Sequence, residues 1–304
     1  MFRTFLLSHR DLISVEKGHA PIQKSRRDVI LAGKFGCMFL LFVCWIQVSA
    51  QGMGMESFSM LHGENVTYDL YFKWGLIMTR AGEASFTYDA EHALAGATSR
   101  YDLYFKTTKF FDGFFKMRDT LTGYYNRDNM LIYSSKRTDE GNYYLIDELT
   151  FNYGAEKTTI HSLRYTPARL KIDTTLTAAG VVTDMLSVAH YMRGVDRTQL
   201  KQGDTFPLLV AIGRDLVTIQ FIYQYQAIIE HGNAKFNTRY FKIDIMDEEA
   251  FESTKTSAEV WIGDDDNFLP IKLRSKLKIG YAEVYFKTAS GLAYPLNCRF
   301  EVKK

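Results

Sequence analysis

Hydrophobic and polar positions alternate along most of the chain. Val66, Tyr68, Leu70, Phe72 and Trp74 share one phase, with Thr67, Asp69 and Lys73 on the other. The same period of two runs through Tyr101-Leu103-Phe105, through Val217-Ile219-Phe221-Tyr223-Tyr225 and through Ala282-Val284-Phe286. It is cleanest where Ile271, Leu273, Ser275, Leu277 and Ile279 interleave with Lys272, Arg274, Lys276 and Lys278. Successive strand side chains face opposite sides, so this pattern predicts antiparallel strands with one buried and one wet face. Glu140-Gly141-Asn142 and His231-Gly232-Asn233 supply turn residues between such runs. About a dozen strands are expected. A strongly curved sheet or half-open barrel is the natural way to limit the exposed edges of so many.

One segment departs from this period. In Val182 to Arg193, Met185, Val188, Ala189 and Met192 recur at helical spacing. Thr183 or Asp184 can cap its start, and Gly194 stands where a C-terminal glycine belongs. An amphipathic helix must cover something, so it is expected on the concave sheet face or as a plug in one barrel end. A shorter helical turn is expected near Phe110-Phe111-Asp112-Gly113-Phe114-Phe115.

The N-terminus reads differently. Arg26, Arg27 and Lys34 precede an apolar stretch from Met38 to Val43, extended by Trp45 and Ile46, and Val48-Ser49-Ala50 closes it. This order predicts a secretory signal peptide cleaved near Ala50/Gln51, carrying a long polar extension before it. Its apolar core is short for a transmembrane helix, which needs about 20 residues. A lipoprotein reading of Cys44 meets Val43 where a small residue is wanted. Export leads to a periplasmic or envelope location. Residues 51–304 then read as one β-rich domain, because no Pro/Gly/Ser-rich linker divides them.

Composition sharpens this picture. Of the 304 residues, 46% are hydrophobic and only 5 are proline, which excludes a disordered chain. The net charge of +2 combines a leader of +4 with a body from Gln51 that holds 30 basic and 32 acidic residues, a net −2. Such balance gives no footing for nucleic acid. Past the leader only Cys298 remains, so no internal disulfide forms there, and a buried structural thiol is expected.

No catalytic motif is present: H-E-x-x-H, G-x-S-x-G, a Walker loop and a dinucleotide fingerprint are all missing, and no cofactor is expected. His62, His92, His161, His190 and His231 have no ligand spacing among them, and His190 reads as a satisfied or exposed helical histidine. In Gly263-Asp264-Asp265-Asp266-Asn267, Asp264 and Asp266 are weak metal candidates, but the EF-hand spacing is absent and a turn is the better reading. Asp247-Glu248-Glu249 reads as a solvated loop or helix start.

Three further features are candidates for binding. Trp74, Trp261, Phe110, Phe111, Phe114 and Phe115 either fill a core, line an apolar cavity or touch a membrane. Lys272, Arg274, Lys276 and Lys278 form a basic ladder, either solvated or a docking surface for anionic headgroups or polysaccharide. Arg193 is expected to satisfy helix-terminal carbonyls.

Three segments together resemble the bacterial family called domain of unknown function 3108. They are Gly63-Glu64 through Trp74 with Ala81-Gly82-Glu83-Ala84, then Asp184 to Arg193, then Val260 to Asp266 with Leu269-Pro270-Ile271. The resemblance implies an exported, β-rich protein without an assigned activity. Its general look is similar to the curved-sheet carriers of the bacterial periplasm that hold acyl chains, an analogy of fold only. The leader here is longer than such exported proteins need.

Three functions follow as expectations. The first is a non-enzymatic carrier or binder of a lipid or other amphipathic envelope component. The second is an envelope structural module with a protein partner. The third is a glycan or lipid hydrolase, which requires carboxylates such as Glu83, Asp119 and Asp264 to converge in a cleft.

Overall fold

The computed structural model describes residues 60–90, 94–246, 258–277 and 280–301. The leader with Cys44 and its exit at Ala50/Gln51, His92, Asp247-Glu248-Glu249, Lys278 and Ile279 lie outside the described residues.

Among the described residues sixteen strands form one sheet. In chain order they are β1 Asn65–Trp74, β2 Ile77–Asp89, β3 Ser99–Thr107, β4 Arg118–Tyr125, β5 Leu131–Glu140, β6 Tyr143–Tyr153, β7 Thr158–Thr166 and β8 Arg169–Ala178. Then follow β9 Val182–Thr183, β10 Thr205–Ile212, β11 Asp215–His231, β12 Ala234–Met246, β13 Ala258–Gly263, β14 Pro270–Lys276, β15 Tyr281–Ser290 and β16 Arg299–Glu301. The strand order is β8-β7-β6-β5-β4-β3-β2-β1-β15-β14-β13-β12-β11-β10-β9, and β16 adds to β12. All neighbours are antiparallel except β9 with β10. The chain thus makes two meanders that meet where β1 pairs with β15.

The sheet rolls into a nearly closed barrel. Register shifts in β1, β4, β7, β11 and β13 mark bulges, which bend strands and increase their twist. The end strands β8 and β9 leave the seam to side chains. Ser162 of β7 donates to the Gly213 carbonyl at 2.6 Å, and Tyr153 of β6 donates to the Val182 carbonyl at 3.2 Å.

Among the described residues two α-helices interrupt the strands, α1 Lys109–Asp112 and α2 Met185–Met192, with a 3-10 turn at Arg197–Gln199. Residues 182–183, expected inside the longer helix, form β9 instead. The cap is Asp184, whose side chain accepts the Ser187 N–H at 2.8 Å. Leu186, Val188, Tyr191 and Met192 of α2 join the main core with Tyr101, Leu121, Tyr125, Phe206 and Phe241. The helix therefore plugs one end of the barrel.

The alternation misreads one face. The outer side of β11 to β15 carries a cross-strand row of Tyr225, Tyr240, Trp261, Lys272 and Tyr285, each directly opposite the next. Tyr240 stacks on Trp261 at 4.8 Å, and the Lys272 ammonium lies 4.8 Å from Trp261 and 5.2 Å from Tyr285. His231, from the tip of the long β11–β12 hairpin, stacks on Tyr285 at 4.3 Å. Cross-strand aromatic and cation–π contacts make this outer face a second packed layer.

Candidate functional site

The inside of the barrel changes character along its axis. At the plugged end it is dry. Arg193, just past α2, donates to both carboxylate oxygens of Glu64, at 2.5 and 3.1 Å, and to the Asn267 carbonyl at 3.0 Å. Both side chains are buried. Its role is thus a bidentate ion pair, with a carbonyl of a distant loop rather than its own helix end as third partner. His190 sits beside it, 4.4 Å from the Tyr125 ring and 5.4 Å from Tyr101, with Nε2 2.9 Å from Asn129 Oδ1. Burial, then the Arg193 charge, pulls its pKa down to about 3, so the imidazole is neutral. Tyr191 accepts the Leu131 N–H at 3.1 Å and donates to the Asn129 carbonyl at 3.2 Å.

Toward the opposite end, where Phe105, Met117 and Asp119 are still buried, other inward side chains are only half-buried. On one wall these are Leu70 and Phe72 of β1, Leu273 of β14 and Val284 of β15. Leu70 pairs with Val284, Val284 with Leu273, and Leu273 with the core residue Val260, which fixes their shared face. On the other wall the inward phase is charged. Lys136 of β5 lies directly opposite core Leu121 on one side and Asp147 of β6 on the other. Arg164 of β7 pairs with Asp147 across the strands and holds it in an ion pair. Asp119 of β4, fully buried, accepts the Asp139 N–H at 3.0 Å, and its Oδ2 meets no donor among the described residues. Burial raises the Asp119 pKa and lowers that of Lys136; the nearby Asp147, Asp119 and Glu140 charges partly restore the lysine. The inward positions of β1, β14 and β15 are thus apolar, and those of β5 to β7 include charged groups.

The sequence candidates fall elsewhere. Trp261 alternates with core residues Val260 and Ile262, so it faces outward and lines no interior. Trp74 ends β1 at the hairpin turn and is exposed. Phe110 and Phe114 are exposed on the α1 loop, with Phe111 and Phe115 half-buried; Phe110 packs 5.4 Å from Phe114. These six residues belong to the outside of the barrel or its rim.

The basic ladder is not a free cationic face. Strand register sets Glu259 and Glu283 on either side of Arg274, which lies 3.8 and 3.6 Å from them and 4.0 Å from the Tyr281 ring. Lys272 is sandwiched between rings, and its pKa is lowered by burial. Lys276 is exposed.

Asp264 pairs with Arg239 at 3.0 Å, and Asp266 pairs with Arg197. Asp265 accepts the backbone N–H groups of Asn267 at 3.0 Å and Cys298 at 3.0 Å. The loop therefore ties the C-terminal segment to the sheet as a turn. Cys298 is buried; the Cβ that a side chain at Gly263 would add lies 2.8 Å from its Sγ. Glu83 is on the outer face with Lys287, Asp119 is inside, and Asp264 lies at the plugged end, so these carboxylates do not converge.

Lys136, Asp147 and Arg164 escaped the sequence reading. A signal was present: Asp147 interrupts the apolar phase of Leu145, Leu149 and Phe151, and Arg164 continues that of Ile160 and Ser162. Glu64 had no local signal, because its partner is 129 positions away.

Comparison with known proteins agrees with this architecture. Residues 67–287 match the family of proteins of unknown function DUF3108, and the chain belongs to that family. No curated protein matches it in sequence. Among solved structures it is similar to a β-barrel-like protein of the domain of unknown function DUF1849 from Brucella abortus. The TM-score is 0.52 at 10% identity, over 78% of this chain and 100% of that one, a likeness of fold alone. A candidate lipoprotein of Parabacteroides distasonis gives 0.31 at 7% identity, over 77% of this chain and 97% of that one. A candidate exported protein with a YmcC-like fold from Bacteroides fragilis gives 0.29 at 8%, over 77% and 98%. Those two scores carry no argument.

Proposed function

We propose that the protein is exported and binds an amphipathic component of the cell envelope inside its barrel. The carrying observation is two kinds of inward strand position: half-buried Leu70, Phe72, Leu273 and Val284 on β1, β14 and β15, and Lys136, Asp147 and Arg164 on β5 to β7. An acyl or similar chain lies against the apolar wall, and a polar head meets the charged one. The α2 plug closes the far end and keeps water from that side. The leader pattern supports export, and binding here needs no bond making or breaking.

The test is native mass spectrometry with lipid extraction, on protein purified without detergent from a bacterium expressing the full-length chain. A stoichiometric lipid-sized adduct, lost on Lys136→Met or on Val284→Trp, supports the reading. A clean apo mass that stays unchanged after incubation with envelope lipid extract overturns it in favour of an interaction module.

A further inference from the structure

The half-buried end of the barrel carries an apolar protrusion that the interior does not use. At the β1–β2 turn, Trp74 and Ile77 are each 60% exposed, and Leu76 is 104% exposed. Beside it the α1 loop presents Phe110 at 65% and Phe114 at 78%. Large apolar side chains this exposed, and grouped, mark an interaction surface. The two pieces are neighbours. The Thr108 N–H, at the start of α1, donates to the Ala81 carbonyl at 2.9 Å, and the turn begins only four residues back along β2. At about 3.3 Å per residue that is roughly 13 Å. The turn is also buttressed: a Cβ at Gly280, where φ is +73°, would sit 2.1 Å from the Lys73 carbonyl.

Glu83, Asp69 and Asp112, beside the protrusion, are held by cations. Glu83 is taken by Lys287 and Arg80, Asp69 by Arg80, and Asp112 by Arg118 at 2.6 Å. Lys73, Lys109 and Lys116 lie around the same apolar groups, and among the described residues no carboxylate pairs with them. A convex apolar tip ringed by unneutralised lysines complements a surface that is apolar inside and anionic at its boundary.

We infer that the Trp74–Met78 turn and the Phe110/Phe114 loop dock the barrel onto an anionic lipid bilayer. Leu76, Ile77, Phe110 and Phe114 enter the acyl boundary, and Lys73, Lys109 and Lys116 meet the headgroups. Phe72, two residues before Trp74, already lies on the apolar interior wall, so the docked tip leads from the bilayer into the barrel. This deepens the carrier reading by naming the surface on which the carrier works.

The experiment is co-sedimentation of the purified full-length product with phosphatidylethanolamine/phosphatidylglycerol vesicles, beside phosphatidylcholine vesicles. Binding is expected to the anionic vesicles, to weaken at high salt and to be weaker on phosphatidylcholine. Leu76→Ser with Ile77→Ser should reduce partitioning by about tenfold or more. Phe110→Ser with Phe114→Ser should act in the same direction, and serves as the test should the first variant fail to fold by circular dichroism. No binding of the wild type to anionic vesicles, or equal binding by folded variants, overturns the proposal. So does tip-dependent self-association without vesicle binding, which would assign the surface to a second copy of the chain. Vesicle binding without a lipid adduct would sink the carrier reading alone; an adduct without vesicle binding would sink the docking surface alone.

Discussion

The two ends of one barrel are built from the same strands and use their inward positions in opposite ways. At the α2 end Glu64 is bonded to Arg193, His190 to the Asn129 side chain, Tyr125 to the Ser187 hydroxyl and Tyr191 to the Asn129 carbonyl. At the other end, Lys136, Asp147 and Arg164 are partly solvated, and the facing Leu70, Phe72 and Val284 are only half-covered. A buried ion pair with every group satisfied fixes a fold, whereas a charged wall left half-covered keeps contact with solvent. The difference assigns stability to one end and binding to the other.

The largest expected effect tests the dry end. Glu64→Ala leaves the Arg193 guanidinium buried with one carbonyl partner, and urea unfolding should report a loss of about 3–5 kcal/mol. Should the variant be as stable as the parent, Arg193 is hydrated and that end is not dry. Tyr191→Phe removes a hydroxyl that accepts one backbone N–H and donates to one carbonyl, and should cost about 1–3 kcal/mol in the same assay.

The same end predicts a pH dependence. His190 has a folded pKa of about 3 against an ordinary 6.5, so the unfolded chain binds the extra proton between those values. Its contribution is complete above about pH 6.5 and is lost as the pH falls toward 3. Stability should therefore drop by up to about 1.4 kcal/mol per pH unit below that point. His190→Phe should flatten the slope between about pH 6.5 and 5, above the ordinary carboxylate range. A slope unchanged in that variant would locate the acid sensitivity elsewhere.

The smallest expected stability change belongs to the other end. Lys136→Met replaces a half-buried cation by a chain of similar volume while Arg164 still holds Asp147. The unfolding free energy from urea titration should change by less than about 1 kcal/mol, while binding of an anionic fatty-acid probe weakens. A large destabilisation with binding intact would reverse the assignment of the two ends.

Much of the fold was legible because period-two alternation survives wherever one face packs on a core, as in Val217 to Tyr223. The helix was legible from its spacing of about 3.6 residues, but the cap stayed open between Thr183 and Asp184, and Met185 of the expected apolar stripe is exposed. The site was less so. Trp261 looked like cavity lining because an aromatic on a strand suits either face, and only register across β12 and β14 shows it stacked outside between Tyr240 and Lys272. Lys272 and Arg274 looked like a free ladder because Glu259 and Glu283, which flank Arg274, come from neighbouring strands. The ion pair of Glu64 with Arg193 depends on rolling the whole sheet, which no local pattern encodes. Asp147 was the missed clue, a carboxylate in an apolar phase.

The central claim is that the barrel has binding room between Val284 and the charged wall. The most direct measurement is equilibrium titration of an anionic fluorescent fatty-acid probe into the wild type and Val284→Trp, with urea unfolding of both. The account predicts about tenfold weaker binding or more at a stability within about 1 kcal/mol of the parent, since the indole fills space rather than strained packing. Unchanged probe affinity, or a loss of about 1–3 kcal/mol typical of an overfilled core, would contradict it.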